Sequence, residues 1–314
     1  MVTHKISAEQ YIGFRKEHAS KKLKVQYGKI IAFAILAIFC FVWLLPFIIM
    51  FTGSLRGHTD VHLYPREILV PHSGYTLENY KILLFGIYPP GVVHDKTQTY
   101  ELGYWLMNSS LSAIGGTMLY LLVASMAAYA FCFLDFRYHA IIFAILVGTM
   151  VIPGTVTSVG NQQTVFRTGL NQSILALIIP GLGGVYGMYL IKTFFESIPK
   201  DLIESAKMDG YSHFKIFIKI VLPLGKTVLF VQGLFGFMGG WNDLIWPQML
   251  FGTKDVKYWT LQVGMAYIIN HSQSADLIGS ALAGGVICLA PVLVVYLIAQ
   301  NKIIEGMASA GIKR

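Results

Sequence analysis

Few residues in this 314-residue sequence have the types and spacing that catalysis requires. The segment PLGKT, Pro223 to Thr227, ends like a phosphate-binding loop. That loop follows the pattern G-x-x-x-x-G-K-[ST], which needs a glycine at position 220, where this chain has Ile220. The segment also leads into a long apolar run, whereas a phosphate-binding loop joins a buried strand to a soluble helix. We therefore expect that this chain does not hydrolyse ATP by itself.

Other candidate chemical groups are equally sparse. His58 and His62 have the i, i+4 spacing of two metal ligands on a helix, but no third ligand lies near them in the sequence. We interpret them as solvated loop histidines and predict no metal site. The cysteines Cys40, Cys132 and Cys288 are far apart and form no CxxC pair, which favours simple packing roles. No GxSxG or HExxH motif occurs, so the sequence does not indicate an enzyme.

The stretch ESAKMDGYSHFKIFIKIVLP, from Glu204 to Pro223, is unusually rich in charge for this chain. Pro199 and Asp201 ahead of it are typical of a helix start, Gly210 breaks the helix, and Ser212 can cap a second one. We expect Gly210 to adopt a left-handed conformation at this break. The pattern predicts a helix, a sharp turn and a second helix with one apolar side. Such a segment either docks a partner or rests on the bilayer as a connector.

The composition is that of a membrane protein. Hydrophobic residues make up 55% of the chain and charged residues 13%, whereas a soluble domain has about a quarter of its residues charged. Six apolar runs are long enough to cross a bilayer of about 30 Å, and Gly, Ala, Ser and Thr inside them indicate closely packed helices. The sequence thus predicts an all-α, polytopic protein with six transmembrane helices, at 29–51, 104–129, 140–159, 173–194, 224–245 and 278–300.

The distribution of basic residues predicts the orientation of these helices. With the N-terminus inside, 17 of the 24 lysines and arginines fall in cytoplasmic segments. Both termini are therefore expected in the cytoplasm. Residues 1–28 are predicted to form a basic helix on the anionic inner leaflet, and residues 52–103 an extracytoplasmic loop.

The charged stretch also carries a family signature. Its spacing of Glu204, Ser205 and Ala206, then Gly210, then Ile220, Leu222 and Pro223 resembles the EAA loop of ABC importer permeases, with Ser205 as the departure from the usual alanine. Further segments, among them MVIPG, GWNDLIWP, LQVGM and IIEGMASAG, are similar to the carbohydrate branch of that family, of the maltose-permease type. Together these segments extend in order over residues 100 to 314.

This resemblance implies the type I ABC importer permease fold in a bacterial or archaeal cytoplasmic membrane. The implied partners are a second related permease, a pair of ATPase subunits that bind ATP and Mg, and an extracytoplasmic solute-binding protein. No cofactor is implied on this chain itself. The loop 195–223, including Asp209, would couple the permease core of residues 104–300 to the ATPase. The tail 301–314 would contact the ATPase through Glu305, Gly306 and Met307.

The implied function is half of the pore of an ATP-driven oligosaccharide importer. Polar and aromatic groups away from lipid are what a sugar path needs, and the candidates are Asn108, Asn161, Gln162, Tyr186, Tyr189, Trp241 and Asn242. Each of them also has a packing alternative, as helix-linking amide or interfacial aromatic residue. Asp243 is expected to cap a helix or to contact the binding protein. The segment GNQQTVF, residues 160–166, departs from the family pattern, and permeases for peptides or other polar solutes and secondary transporters remain alternatives.

Overall fold

The computed structural model describes the backbone of residues 8–57, 60, 69–72, 74–88, 100–271 and 278–311, and the side chains in these ranges except 8–26, 172, 271 and 301–311. The described part is helical and contains no β-strand, only an isolated bridge between Arg56 and Tyr75. His58 and His62, the paired histidines of the sequence, lie outside the described residues.

Thirteen α-helices in the described part build the fold. They are α1 Ala8–Ser54, α2 Glu78–Phe85, α3 Leu102–Phe133, α4 His139–Gly148, α5 Gly154–Arg167, α6 Leu175–Ile178, α7 Val185–Phe195, α8 Lys200–Met208, α9 His213–Ile216, α10 Lys226–Asn242, α11 Ile245–Phe251, α12 Leu261–His271 and α13 Ile278–Gly311. Helix α3 contains a π-helical turn at Leu111–Gly115, and a second π-helical turn, Phe217–Val221, follows α9.

Three helical segments of the described chain are long and apolar enough to span a membrane without a break, namely Tyr27–Ser54, Leu102–Phe133 and Ile278–Gln300. The first lies within α1, a continuous helix of 47 residues that also includes most of the basic N-terminal segment. The last lies within α13, which continues to Gly311 and so includes the backbone of Glu305, Gly306 and Met307. Neither terminal segment is separated from its neighbouring span by a helix break.

The other three predicted spans are bent pairs of helices and not single straight helices. The pairs are α4 with α5, α6 with α7, and α10 with α11, bent by 104°, 50° and 45°. The expectation of one helix over 140–159 is wrong because Pro153 has no N–H to donate and forces the preceding residue, Ile152, into an extended conformation (ψ 119°). Asp243, with ψ 119°, makes the corresponding break between α10 and α11.

Two groups of buried residues hold the helices together, at opposite ends of α3. The first contains Trp105 from the start of α3, together with Phe251 and Trp259. The second contains Tyr129 from the end of α3, with residues of α7, α8 and α9 such as Phe195. Because Trp105 and Tyr129 are 24 positions apart on one helix, the two groups are about 36 Å apart, which exceeds the hydrocarbon thickness of a bilayer.

Glycines allow α10 to approach α3 closely between these two groups. A Cβ atom at Gly240 would lie 3.2 Å from the Cα atom of Ala113, and one at Gly236 would lie 3.2 Å from Thr117. The sequence predicted close packing from the small residues inside the apolar runs, and the glycines differ in this respect. At Gly284 a Cβ atom would collide with the side chain of Met265, whereas at Gly116 it would stand 3.9 Å from Ile178, an ordinary contact. Small residues therefore set the helix spacing at some of these glycines but not at all of them.

Candidate functional site

The charged stretch of the sequence folds as two helices joined by a tight turn, which we call the turn segment, Lys200–Leu224. Helix α8 ends in a Schellman-type turn, in which the amide N–H of Tyr211 donates to the carbonyl of Ala206 over 3.0 Å. Gly210 has φ 76°, a left-handed conformation that glycine adopts without strain. Ser212 then caps α9 by accepting a hydrogen bond from the amide N–H of Lys215 at 3.4 Å.

The turn segment packs on the last turns of α3. The hydroxyl of Tyr129 lies 3.2 Å from Nδ1 of His213, and its ring centroid lies 5.3 Å from that of Phe217. Ile203 and Ala206 of α8 are buried in the same group of residues. The turn segment and the last turns of α3 therefore form one packed unit.

The opposite side of the turn segment is exposed and partly apolar. Met208 is 89% exposed, and Phe214 is 65% exposed. The exposed residues Glu204 and Ser205 lie on α8 as well. Apolar side chains next to charged ones on one exposed face are typical of a surface that binds a partner protein.

A cavity of about 600 Å³, the main cavity, lies between the two buried groups of residues. Its wall is formed by the middle of α3, including the π-helical turn, and by both members of two bent pairs, α6 with α7 and α10 with α11, together with α5. The bends at Gly184 and Asp243 are themselves part of this wall. The breaks in the helices thus open space in the middle of the bundle, where straight helices would pack against each other.

The wall of the main cavity carries polar groups suited to a hydroxylated solute. The hydroxyl of Thr117 has no hydrogen-bond partner within the described residues. Thr157 and Ser158 donate to carbonyls of their own helix, over 3.0 and 2.7 Å, which leaves their oxygen atoms able to accept hydrogen bonds. Gln232 adds an amide and Trp246 an indole ring. Such a mixture of hydroxyl, amide and aromatic groups can bind a sugar by hydrogen bonds and stacking.

Two of the seven predicted path residues, Asn161 and Tyr186, line the main cavity. Tyr189 lies elsewhere and stacks on Phe143 with ring centroids 6.3 Å apart. The others donate to backbone carbonyls: Asn108 to Lys257 and Trp259, Gln162 to Met249, Trp241 to Cys288 and Asn242 to Met238. These four side chains therefore link or cap helices, and Asn108 also borders a smaller cavity of about 370 Å³ next to Tyr104.

Sequence reasoning missed several wall residues, chiefly Ser112, Thr117, Tyr120, Thr157, Ser158 and Gln232. They come from helices far apart in the sequence, and small hydroxyl residues in an apolar run look like packing residues. The one available signal was the clustering of glycine and hydroxyl residues in SAIGGT and PGTVTS. Asp243 was expected to cap a helix, and its carboxylate accepts from the amide N–H of Trp246 at 3.3 Å; it also lines the main cavity.

The described residues contain no group of three or more His, Cys, Asp or Glu side chains that could hold a metal ion. In the same part of the chain, Gly225 and Lys226 of the PLGKT segment lie at the start of α10, at a helix–helix junction. The junction lacks the strand that precedes a phosphate-binding loop.

Known proteins with similar sequences are transport permeases. The chain is 24% identical to the arabinooligosaccharides transport system permease protein AraQ of Bacillus subtilis, over 87% of this chain and 91% of that protein. It is 28% identical to the osmoprotective compounds uptake permease protein GgtD of Synechocystis, over 95% and 97%. It is 25% identical to the sn-glycerol-3-phosphate transport system permease protein UgpE of Yersinia pestis, over 88% and 97%.

The fold is also that of a solved transporter. A chain of a bacterial ABC transporter involved in the import of the acidic polysaccharide alginate superposes with a TM-score of 0.71 at 22% identity, over 95% of this chain and 99% of that chain. Residues 22–305 match the family described as the binding-protein-dependent transport system inner membrane component. The chain therefore belongs to this family and is a transport subunit of the inner membrane, not an enzyme.

Proposed function

We propose that this chain is one of two permease subunits of an ATP-driven importer of carbohydrates. Family membership implies a solute-binding protein and an ATPase as partners. The second permease, the pairing of two ATPase subunits, and ATP with Mg on those subunits are part of the proposal. Relatives named for arabinooligosaccharides and for sn-glycerol 3-phosphate support a hydroxylated solute.

The main observation behind this proposal is that one helix, α3, connects the two candidate sites. Its middle lines the main cavity through Thr117 and Tyr120, and its end carries Tyr129, which packs on the turn segment. A movement of the turn segment can therefore change the cavity through a single continuous helix. This is the connection that an importer needs between ATP hydrolysis and the solute path.

We assign roles to residues on this basis. The turn segment would bind the ATPase through its exposed face, with Glu204, Ser205 and Met208 in the contact and Gly210 setting the angle between its helices. Asn161 and Tyr186 would contact the solute together with Thr117 and Trp246. The tail residues Glu305, Gly306 and Met307 would also reach the ATPase.

The proposal retains the division of the chain made from the sequence. Residues 1–28 would form a cytoplasmic basic segment and 29–51 the first transmembrane helix. Residues 52–103 would be extracytoplasmic, 104–300 would form the permease core with its coupling loop at 195–223, and 301–314 would be a cytoplasmic tail. The six spans of this topology would be the three straight helices and the three bent pairs.

The proposal is tested by assembling the transporter with its ATPase and solute-binding protein in liposomes. We expect ATP hydrolysis to rise several-fold when the binding protein carries an oligosaccharide, and uptake of the same labelled sugar into the liposomes. Peptides of similar size serve as the matched comparison. Stimulation by peptides and not by sugars would show that the alternative, a permease for another polar solute, is correct.

A further inference from the structure

The described wall of the main cavity contains acidic but not basic side chains. Among the described residues that line it, Asp243 is the acidic residue, and none is lysine, arginine or histidine. The lining is otherwise made of hydroxyl, amide, aromatic, aliphatic and small residues. An ionisable residue that faces a cavity between membrane helices points to a functional role, because charged side chains are costly inside a membrane.

The carboxylate of Asp243 is not neutralised by its surroundings. It accepts the amide N–H of Trp246, and it forms no salt bridge within the described part of the chain. The two lysines that follow on the chain are engaged elsewhere. Lys254 donates to the carbonyl of Asn171, and the ammonium of Lys257 lies 5.7 Å from the ring centroid of Tyr104. When Asp243 is ionised, the described part of the cavity wall therefore carries a net negative charge.

We propose that this wall selects solutes by charge, favouring uncharged, hydroxylated solutes and disfavouring anionic ones, with Asp243 as the residue that determines this specificity. The inference rests on the proposed function. The relatives do not decide this question, because different relatives are named for different solutes. One is named for the neutral arabinooligosaccharides, and others for the anions sn-glycerol 3-phosphate and alginate. A single carboxylate in a partly buried cavity can change the local concentration of a monovalent ion by about tenfold.

The first test measures the charge of the cavity without any solute. In the assembled transporter, Cys40, Cys132 and Cys288 are replaced by serine, and Ser158→Cys places one thiol in the cavity wall. The thiol is allowed to react with a cationic methanethiosulfonate (trimethylammonium-ethyl) and, separately, with an anionic one (sulfonato-ethyl). The cationic rate divided by the anionic rate is then compared with the same ratio for 2-mercaptoethanol in solution, which gives a relative ratio. We expect this relative ratio to exceed about five.

Two matched variants test whether Asp243 is the cause of this relative ratio. Asp243→Asn keeps an oxygen that can accept the capping hydrogen bond but removes the charge, so the relative ratio should fall to about one. Asp255→Asn makes the same change at a similar cap, where the side chain accepts from the amide N–H of Lys257 at 3.0 Å outside the main cavity. The ratio should then stay as in the parent protein. Equal ratios in the parent and in Asp243→Asn would overturn the proposal.

The second test compares uptake of maltotriose and trigalacturonate, two trisaccharides that differ in charge, with each rate corrected for solute affinity of the binding protein. We expect maltotriose to be favoured by about tenfold, and this preference to fall several-fold in Asp243→Asn. Equal uptake of both by the parent protein would overturn the charge selectivity. Uptake of neither trisaccharide would contradict the proposed carbohydrate import, while the thiol reactivity would still decide whether the cavity repels anions.

Discussion

Glycine is required at position 210 by the backbone conformation and not by crowding from neighbouring atoms. No atom lies within 4 Å of the position that a Cβ would occupy, so a side chain would meet no neighbour there. The constraint comes from φ 76°, which ends α8 and turns the chain into α9. A residue that adopts this conformation keeps the angle between the two helices, and one that resists it changes the exposed face of the turn segment.

Replacing Gly210 with valine should therefore impair coupling without unfolding the protein. A β-branched residue in the left-handed region costs about 1–2 kcal/mol, which a multi-helix bundle tolerates. We expect normal membrane insertion but reduced ATPase co-purification and at least a fivefold loss of ATP hydrolysis stimulated by the binding protein. Gly210→Asn is the control, because asparagine accepts positive φ more readily, and it should retain most of the activity. Full stimulation in the valine variant would mean that the turn segment is only a connector.

At the scale of elements, the sequence correctly predicted the local turn and helix cap but did not predict the bends within three of the spans. The left-handed Gly210 and the capping Ser212 are confirmed, because both depend on a few neighbouring residues. Hydrophobicity averaged over twenty residues does not distinguish a straight span from a bent pair, so the bends at Pro153, Gly184 and Asp243 were missed. The main cavity was missed with them, since its wall combines helices that only the bends bring together.

Two adjacent glycines on α10 differ in what a side chain would meet, so substitutions there can test helix packing and solute passage separately. A Cβ atom at Gly240 would lie 3.2 Å from the Cα atom of Ala113, whereas no atom lies within 4 Å of a Cβ at Gly239. Both glycines border the main cavity. Gly240→Val should push α10 from α3 at a cost of about 1–3 kcal/mol, seen as a lower Tm in detergent. Gly239→Val should keep the parental Tm but lower the rate of solute uptake. The same Tm in both variants would contradict the packing of α10 on α3 described here.

At the scale of the molecule, we propose that the two buried groups at the ends of α3 lie on the two sides of a membrane. Trp105 and Trp259 pack together at one end with ring centroids 6.0 Å apart, and Tyr129 packs on the turn segment at the other. The separation of about 36 Å along α3 exceeds a hydrocarbon core of about 30 Å. Because lysine and arginine are in excess on the side of the turn segment, we propose that this side faces the cytoplasm.

This orientation predicts opposite labelling of two exposed positions. In a protein without its native cysteines, Thr253→Cys, which follows α11, should react with a membrane-impermeant maleimide in intact spheroplasts. Ser205→Cys, on the exposed face of α8, should react only after the membrane is permeabilised, because we propose that the turn segment faces the cytoplasm. Both side chains are exposed, so a difference in labelling reports sidedness and not burial. Labelling of both positions in intact spheroplasts, or of Ser205→Cys alone, would reverse the topology and remove the turn segment from reach of a cytoplasmic ATPase.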